Sequence, residues 1–236
     1  MLSYGHGTGL IHFIGAFDRI WRARRALVLA ILVLPPFAAA RQAAAAPAAE
    51  PPIHIVALGD SLTAGYQLPQ DAAFPVVLER ALRADGFDVE IANAGVSGDT
   101  ASDGLDRLDW SVGAGTDAVI VELGANDMLR GIDPQVTRQA LAAIVGRLTK
   151  RGIKVLLVGM RAAPQLGEDY VARFDAIYPD VAKTYDVPLY PFFLSGVAGI
   201  ADLTQPDGMH PTRAGVETIV KTMLPTVEAF LKSARP

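Results

Sequence analysis

From Ile53 onward, short apolar runs alternate with segments of helical period, and this alternation constrains the fold more than any other feature. Ile53–Leu58 (IHIVAL), Ala118–Leu123 (AVIVEL) and Ile153–Gly159 (IKVLLVG) are almost continuously apolar, and Phe87–Ile91 and Val187–Tyr190 are shorter runs. Between and after them lie Ala73–Ala84, Pro134–Arg151 with Gly152 past its end, Glu168–Tyr185 and Thr212–Leu231, all of helical character. A strand that is apolar on both faces must be covered on both, as in a parallel sheet with crossover helices. The expectation is an α/β chain: a single-domain three-layer α/β/α sandwich around a mainly parallel five-stranded sheet.

In such sheets ligands bind beyond the carboxyl ends of the strands. Four polar, Gly-bearing clusters fall at that end. Gly59–Leu62 follows the first strand, Asn93–Asp99 the second and Gly124–Asp127 the third, while Asp207–His210 precedes the last helix. They are placed to converge.

Residues 1–49 read as a signal peptide and Ala/Pro-rich linker, leaving 50–236 as the folded domain. Arg19, Arg22, Arg24 and Arg25 form a basic region before the apolar run Ala26–Leu34, and A-x-A-type cleavage options follow between Ala38 and Ala49. The Arg24-Arg25 pair also admits twin-arginine export. The rival reading is a retained anchor, but the apolar stretch is interrupted by Pro35-Pro36 and falls short of the roughly 20 residues a spanning helix needs. The expected location is therefore periplasmic or secreted, with no stable membrane anchor.

Composition removes several chemistries. There is no Cys, which excludes disulfides, thiolate metal sites and Cys nucleophiles. Beyond residue 49 the chain holds 16 basic and 24 acidic residues, which argues against a nucleic-acid footprint.

A serine hydroxyl needs a base before it can act as nucleophile. Ser61 stands two residues after a glycine at a strand-to-loop turn. Of the four histidines, His6 and His12 lie in the leader and His54 at the wrong end of its strand, which leaves His210. Asp207, three residues earlier, is placed to accept the other imidazole N–H and fix the tautomer. Donors for a tetrahedral oxyanion are available from the backbone N–H of Ser61, the backbone N–H of Gly98 and the side-chain amide of Asn126. Asp60 reads as a carboxylate that bonds loop amides, and Asp99 and Asp127 as residues that hold their loops. Arg161 lies where it either lines the entrance or faces solvent, and Phe192 and Phe193 are either core or acyl-pocket wall.

The blocks GDSLTAGY, NAGVSGDT, GAND and DGMHP, in this order, resemble those of the GDSL/SGNH hydrolases. The likeness spans roughly Ile53 to Leu231, includes VELGANDMLRG and IYPDVAKTYDVPLYPFF, and is greatest to the periplasmic thioesterase I/lysophospholipase/arylesterase branch. The resemblance implies an SGNH-hydrolase-like, flavodoxin-like topology. It also implies Ser61 as nucleophile, His210 as base, Asp207 as acid, and Ser61, Gly98 and Asn126 as the oxyanion hole. Cofactor-free cleavage of small acyl esters or thioesters through an acyl-serine follows from the same likeness. Ala125 stands where close relatives often carry Gly, at a position the family pattern leaves open. The G-x-S-x-G elbow of the α/β-hydrolase fold is missing. A carbohydrate acetylesterase on the same scaffold, or a non-catalytic periplasmic binding protein, remain the alternative functions.

Overall fold

A computed structural model describes residues 51–234; the signal-peptide and linker reading of 1–49 lies outside these. In chain order, β1 (Ile53–Gly59) leads into α1 (Ser61–Ala64) and α2 (Phe74–Ala84). β2 (Val89–Gly95), α3 (Ala101–Asp106) and α4 (Leu108–Ser111) follow, then β3 (Ala118–Glu122), α5 (Ala125–Leu129) and α6 (Pro134–Lys150). The chain continues through β4 (Lys154–Val158), α7 (Glu168–Asp175), α8 (Ile177–Tyr185), β5 (Leu189–Tyr190) and α9 (Arg213–Ala234).

The five strands form one sheet in the order β2-β1-β3-β4-β5, and every pairing is parallel. This is the flavodoxin-like order. Helices α2 and α9 pack together on one face, and α6 packs with α3 and α8 on the other. All of β3 is buried, which is why its sequence shows no alternation. Among the described residues no helix is long and apolar enough to cross a membrane.

Two expected elements differ in the structure. The second strand runs Val89–Gly95 rather than Phe87–Ile91, so Asn93 and Gly95 pair within the sheet instead of following it. β2 is an edge strand, and its second half consists of Ala92, Asn93, Ala94 and Gly95, exposed or half-buried residues that form no bulky apolar run, which hid it. The expected helix over 168–185 breaks at Ala176 into α7 and α8. Pro179 has no N–H to offer the Asp175 carbonyl one turn back, and its ring collides with that carbonyl.

The β2 edge is covered by side chains of α2. Glu79 Oε2 accepts from the Ile91 N–H at 2.7 Å and Arg83 Nε donates to the Val89 carbonyl at 2.9 Å. The two side chains pair with each other at 3.0 Å.

Candidate active site

The strand-to-helix turn at Ser61 is tighter than any residue but glycine allows at its base. A Cβ on Gly59 would sit 2.0 Å from Thr63 Oγ1, and one on Gly95 of the neighbouring strand 2.3 Å from the Ala64 nitrogen. Asp60 caps α1 by accepting the Leu62 N–H at 2.9 Å. Ser61 thus opens α1, where its own N–H has no intrahelical acceptor.

The loop ahead of α9 brings the base. Asp207 Oδ1 accepts from the N–H groups of Met209 at 2.9 Å and His210 at 3.0 Å, and Oδ2 meets His210 Nδ1 at 2.7 Å. A carboxylate can only accept, so Nδ1 carries the proton and Nε2 accepts from Ser61 Oγ at 2.9 Å. The Met209 N–H, followed by the contacts from His210, holds the Asp207 carboxyl down at about 2. Two further residues, which the sequence did not single out, fix this loop. The Tyr66 ring packs on the imidazole with centroids 4.5 Å apart. Gln205 donates from Nε2 to the Tyr66 carbonyl at 2.9 Å, and from its backbone to the His210 carbonyl at 2.7 Å.

The other two blocks supply donors. Gly98 has φ of 92°, a left-handed conformation suited to glycine, and its N–H engages no acceptor among the described residues. Asn126 lies in the first turn of α5, and its Nδ2 donates to Asp60 Oδ2 at 3.1 Å and to the Asp99 carbonyl at 2.9 Å. Both neighbours are acceptors, so nitrogen rather than oxygen must face them. Asp127 does hold its loop: its carboxylate accepts the Ala101 N–H at 2.8 Å and the Thr137 hydroxyl at 2.9 Å. Asp99 is tied by its carboxylate to Arg107 Nε at 2.5 Å.

Arg107 is the main residue missed in the sequence. It also donates to the carbonyls of Ala94 and Gly59, each at 2.9 Å, and so clamps the ends of β1 and β2 to the Gly98 loop. It stands between two short helices without apolar period, where nothing in the sequence marks it.

Beneath Ser61 lies a buried pair of carboxyl groups. Asp60 has no exposed surface, and burial raises its carboxyl to about 6, against the pull of the Leu62 N–H and His210. Burial and then the charge of Asp60 push Glu122 well above the usual carboxylate range. Glu122 Oε2 accepts from Thr63 Oγ1 at 2.8 Å, while Oε1 is buried without a partner. An acid inside the apolar run AVIVEL was the signal for this residue.

A cavity of about 480 Å³ opens over Ser61, Asn126 and His210, with Leu62, Met128 and Met160 in its wall. Phe192 lines it, with the Arg161 guanidinium 5.2 Å from the ring centre, so Arg161 does stand at the cavity. Phe193 is core instead, fully buried and edge-on to Phe74. A larger cavity of about 650 Å³ lies at the opposite end of the sheet, near His54. Glu79 is already paired with Arg83 there, His54 Nδ1 lies 3.3 Å from Glu90 Oε2, and the cavity holds none of the four blocks. Among the described residues no three His, Cys, Asp or Glu side chains gather as a metal site would need.

Residues 57–217 match the GDSL-like lipase/acylhydrolase family. The chain is 35% identical over 178 residues to the esterase TesA of Pseudomonas aeruginosa, covering 75% of this chain and 89% of that one. It is 40% identical over 160 residues to the thioesterase 1/protease 1/lysophospholipase L1 of Escherichia coli, covering 67% and 76% of the two chains. The crystal structure of AlinE4, an SGNH-hydrolase family esterase, superposes with a TM-score of 0.64 at 47% identity, covering 76% of this chain and 96% of that one. A crystal structure of TesA does so with a TM-score of 0.72 at 34% identity, over 75% and 99%. The chain therefore belongs to the GDSL-like lipase/acylhydrolase family and is a hydrolase of acyl esters.

Proposed function

We propose that the protein cleaves small carboxylic esters or thioesters through an acyl-Ser61 intermediate. The observation that carries this reading is the relay Ser61 Oγ–His210 Nε2–His210 Nδ1–Asp207 Oδ2, with contacts of 2.9 and 2.7 Å. Ser61 Oγ attacks the acyl carbonyl carbon while His210 Nε2 takes the hydroxyl proton, and Asp207 steadies the imidazolium that forms. Charge on the carbonyl oxygen is met by the N–H groups of Ser61 and Gly98 and the amide of Asn126. The intermediate collapses to acyl-serine as His210 returns the proton to the leaving alcohol or thiol. Water then attacks the acyl carbon, giving its proton to His210, which passes it to Ser61 Oγ as the acid is released. The apolar cavity suits an acyl chain. Residues 1–49 fit export to the periplasm with cleavage of the leader.

Ser61→Ala tests the assignment. The variant should fold and lose several orders of magnitude in hydrolysis of p-nitrophenyl esters, and a fluorophosphonate probe should label only the wild type. Retention of more than roughly a tenth of wild-type activity removes Ser61 from the role. p-Nitrophenyl esters of increasing length, beside a lysophospholipid and an acyl-CoA, sort the substrate preference.

A further inference from the structure

Asn126 differs from the other two oxyanion donors. The N–H groups of Ser61 and Gly98 engage no acceptor among the described residues, whereas both N–H bonds of the Asn126 amide are occupied. The two acceptors are unequal. Asp60 is fully buried and fixed at the start of α1 by the Leu62 N–H, so its grip on the amide lies inside the protein. The Asp99 carbonyl belongs to the half-buried loop that also carries Gly98. A neutral carbonyl yields a donor to a developing oxyanion far more readily than a buried carboxylate does, because hydrogen bonds to charged acceptors are about twice as strong.

We infer that Asp60 is the positioning residue of the oxyanion hole: it retains one N–H of Asn126 and so aims the other, now resting on the Asp99 carbonyl, at the substrate oxygen. The inference rests on the reading of Asn126 as an oxyanion donor given above. Asp60 is not a second partner for the base, because both imidazole nitrogens are already engaged by Asp207 and Ser61. Glu122 supports the arrangement from below. Two adjacent buried carboxyls do not both ionise. Glu122, with one oxygen unpartnered and its carboxyl raised well above the usual range, keeps the proton and leaves the charge on Asp60. The other ionisable groups that bear on Asp60 are His210, which favours its charge, and Asp127, which opposes it.

Asp60→Asn replaces a group that accepts two N–H bonds by one that accepts on one side and donates on the other. With p-nitrophenyl acetate, kcat should fall about tenfold while KM stays within about twofold. In an Asn126→Ala background the same substitution should change kcat less than about twofold, because its effect passes through the missing amide. An equal loss in both backgrounds would overturn the inference and leave Asn126 in its role. Undiminished kcat in Asn126→Ala alone would remove both readings together. Should Asp60→Asn not fold, the coupling can be read in His210→Ala by NMR, following the Asp60 carboxyl carbon and the Asn126 side-chain amide from acid to neutral pH. The amide resonance should move with the Asp60 titration. An amide that ignores that titration, wherever it falls, would overturn the inference.

Discussion

The rim and the floor of the site hold carboxyl groups in opposite circumstances. On the rim, Asp207 is partly exposed and receives three N–H contacts, and it stays ionised with its carboxyl held at about 2. On the floor, Asp60 also receives N–H contacts, from Leu62 and Asn126, yet burial raises it to about 6. Donors of similar kind reach both, so access to water decides the outcome. The rim is built to keep a charge ready for chemistry, and the floor to keep one charge and suppress the next.

The division predicts that rim substitutions act on rate and on stability in acid, whereas floor substitutions act on rate and on stability above the usual carboxylate range. The largest effect should come from His210→Ala, with kcat reduced on the order of 10⁶-fold and the double variant with Ser61→Ala hardly worse. Asp207→Ala should cost less, on the order of 10⁴-fold, because nucleophile and base remain. Measured kcat/KM on one activated ester ranks the three, and a His210→Ala enzyme within about tenfold of wild type would mean another base. On the floor, Asn126→Ala should reduce kcat about 100-fold with KM little changed. A pure KM effect would place Asn126 in ground-state binding instead.

The smallest effect concerns Glu122 and is thermal. Its folded carboxyl stays protonated above its usual 4.5, where the unfolded chain ionises. The folded state then binds the extra proton, so this residue makes stability fall as pH rises above about 4.5. Glu122→Gln removes that slope, and its Tm relative to wild type should climb by a few degrees between pH 5 and pH 8. A constant offset across that range would show Glu122 to be already ionised in the fold. Asp207 acts in the opposite sense. Held below its usual 3.8, it adds stability above that value and loses it as pH falls toward about 2.

The sheet was legible because β3 and β4 are buried on both faces and therefore apolar throughout, apart from their ends. The four blocks were legible because each pairs a glycine with polar residues, three of them at strand ends and the fourth just ahead of α9. The structure brings Ser61, Asp207 and His210 into one hydrogen-bonded relay and ties Asn126 to Asp60, next to Ser61, and to Asp99, next to Gly98. What stayed hidden depends on contacts between distant segments. Arg107 reaches Gly59 from 48 residues away, and Gln205 reaches Tyr66 across 139. No local pattern encodes such partners. The short helices α3 and α4 were missed because six- and four-residue segments carry too little periodicity, although Thr100 and Asp103 form a capping box that announces α3. Asp60 was read as a ligand of loop amides, and the structure adds that one of those amides belongs to Asn126.

The side chains that cover β2 also bear on how copies of this protein behave in company. An open sheet has two flanks on which a neighbour can add a strand, and such flanks seed fibrils. Here β5 offers only two residues, and on β2 the Val89 carbonyl and the Ile91 N–H are held by Arg83 and Glu79 and the Gly95 N–H by the Asn93 side chain. A second molecule must first strip away a matched pair of charges before its backbone gains anything. Growth of a cross-molecular sheet therefore starts uphill, and concentrated stocks of the folded domain should resist this route to aggregation.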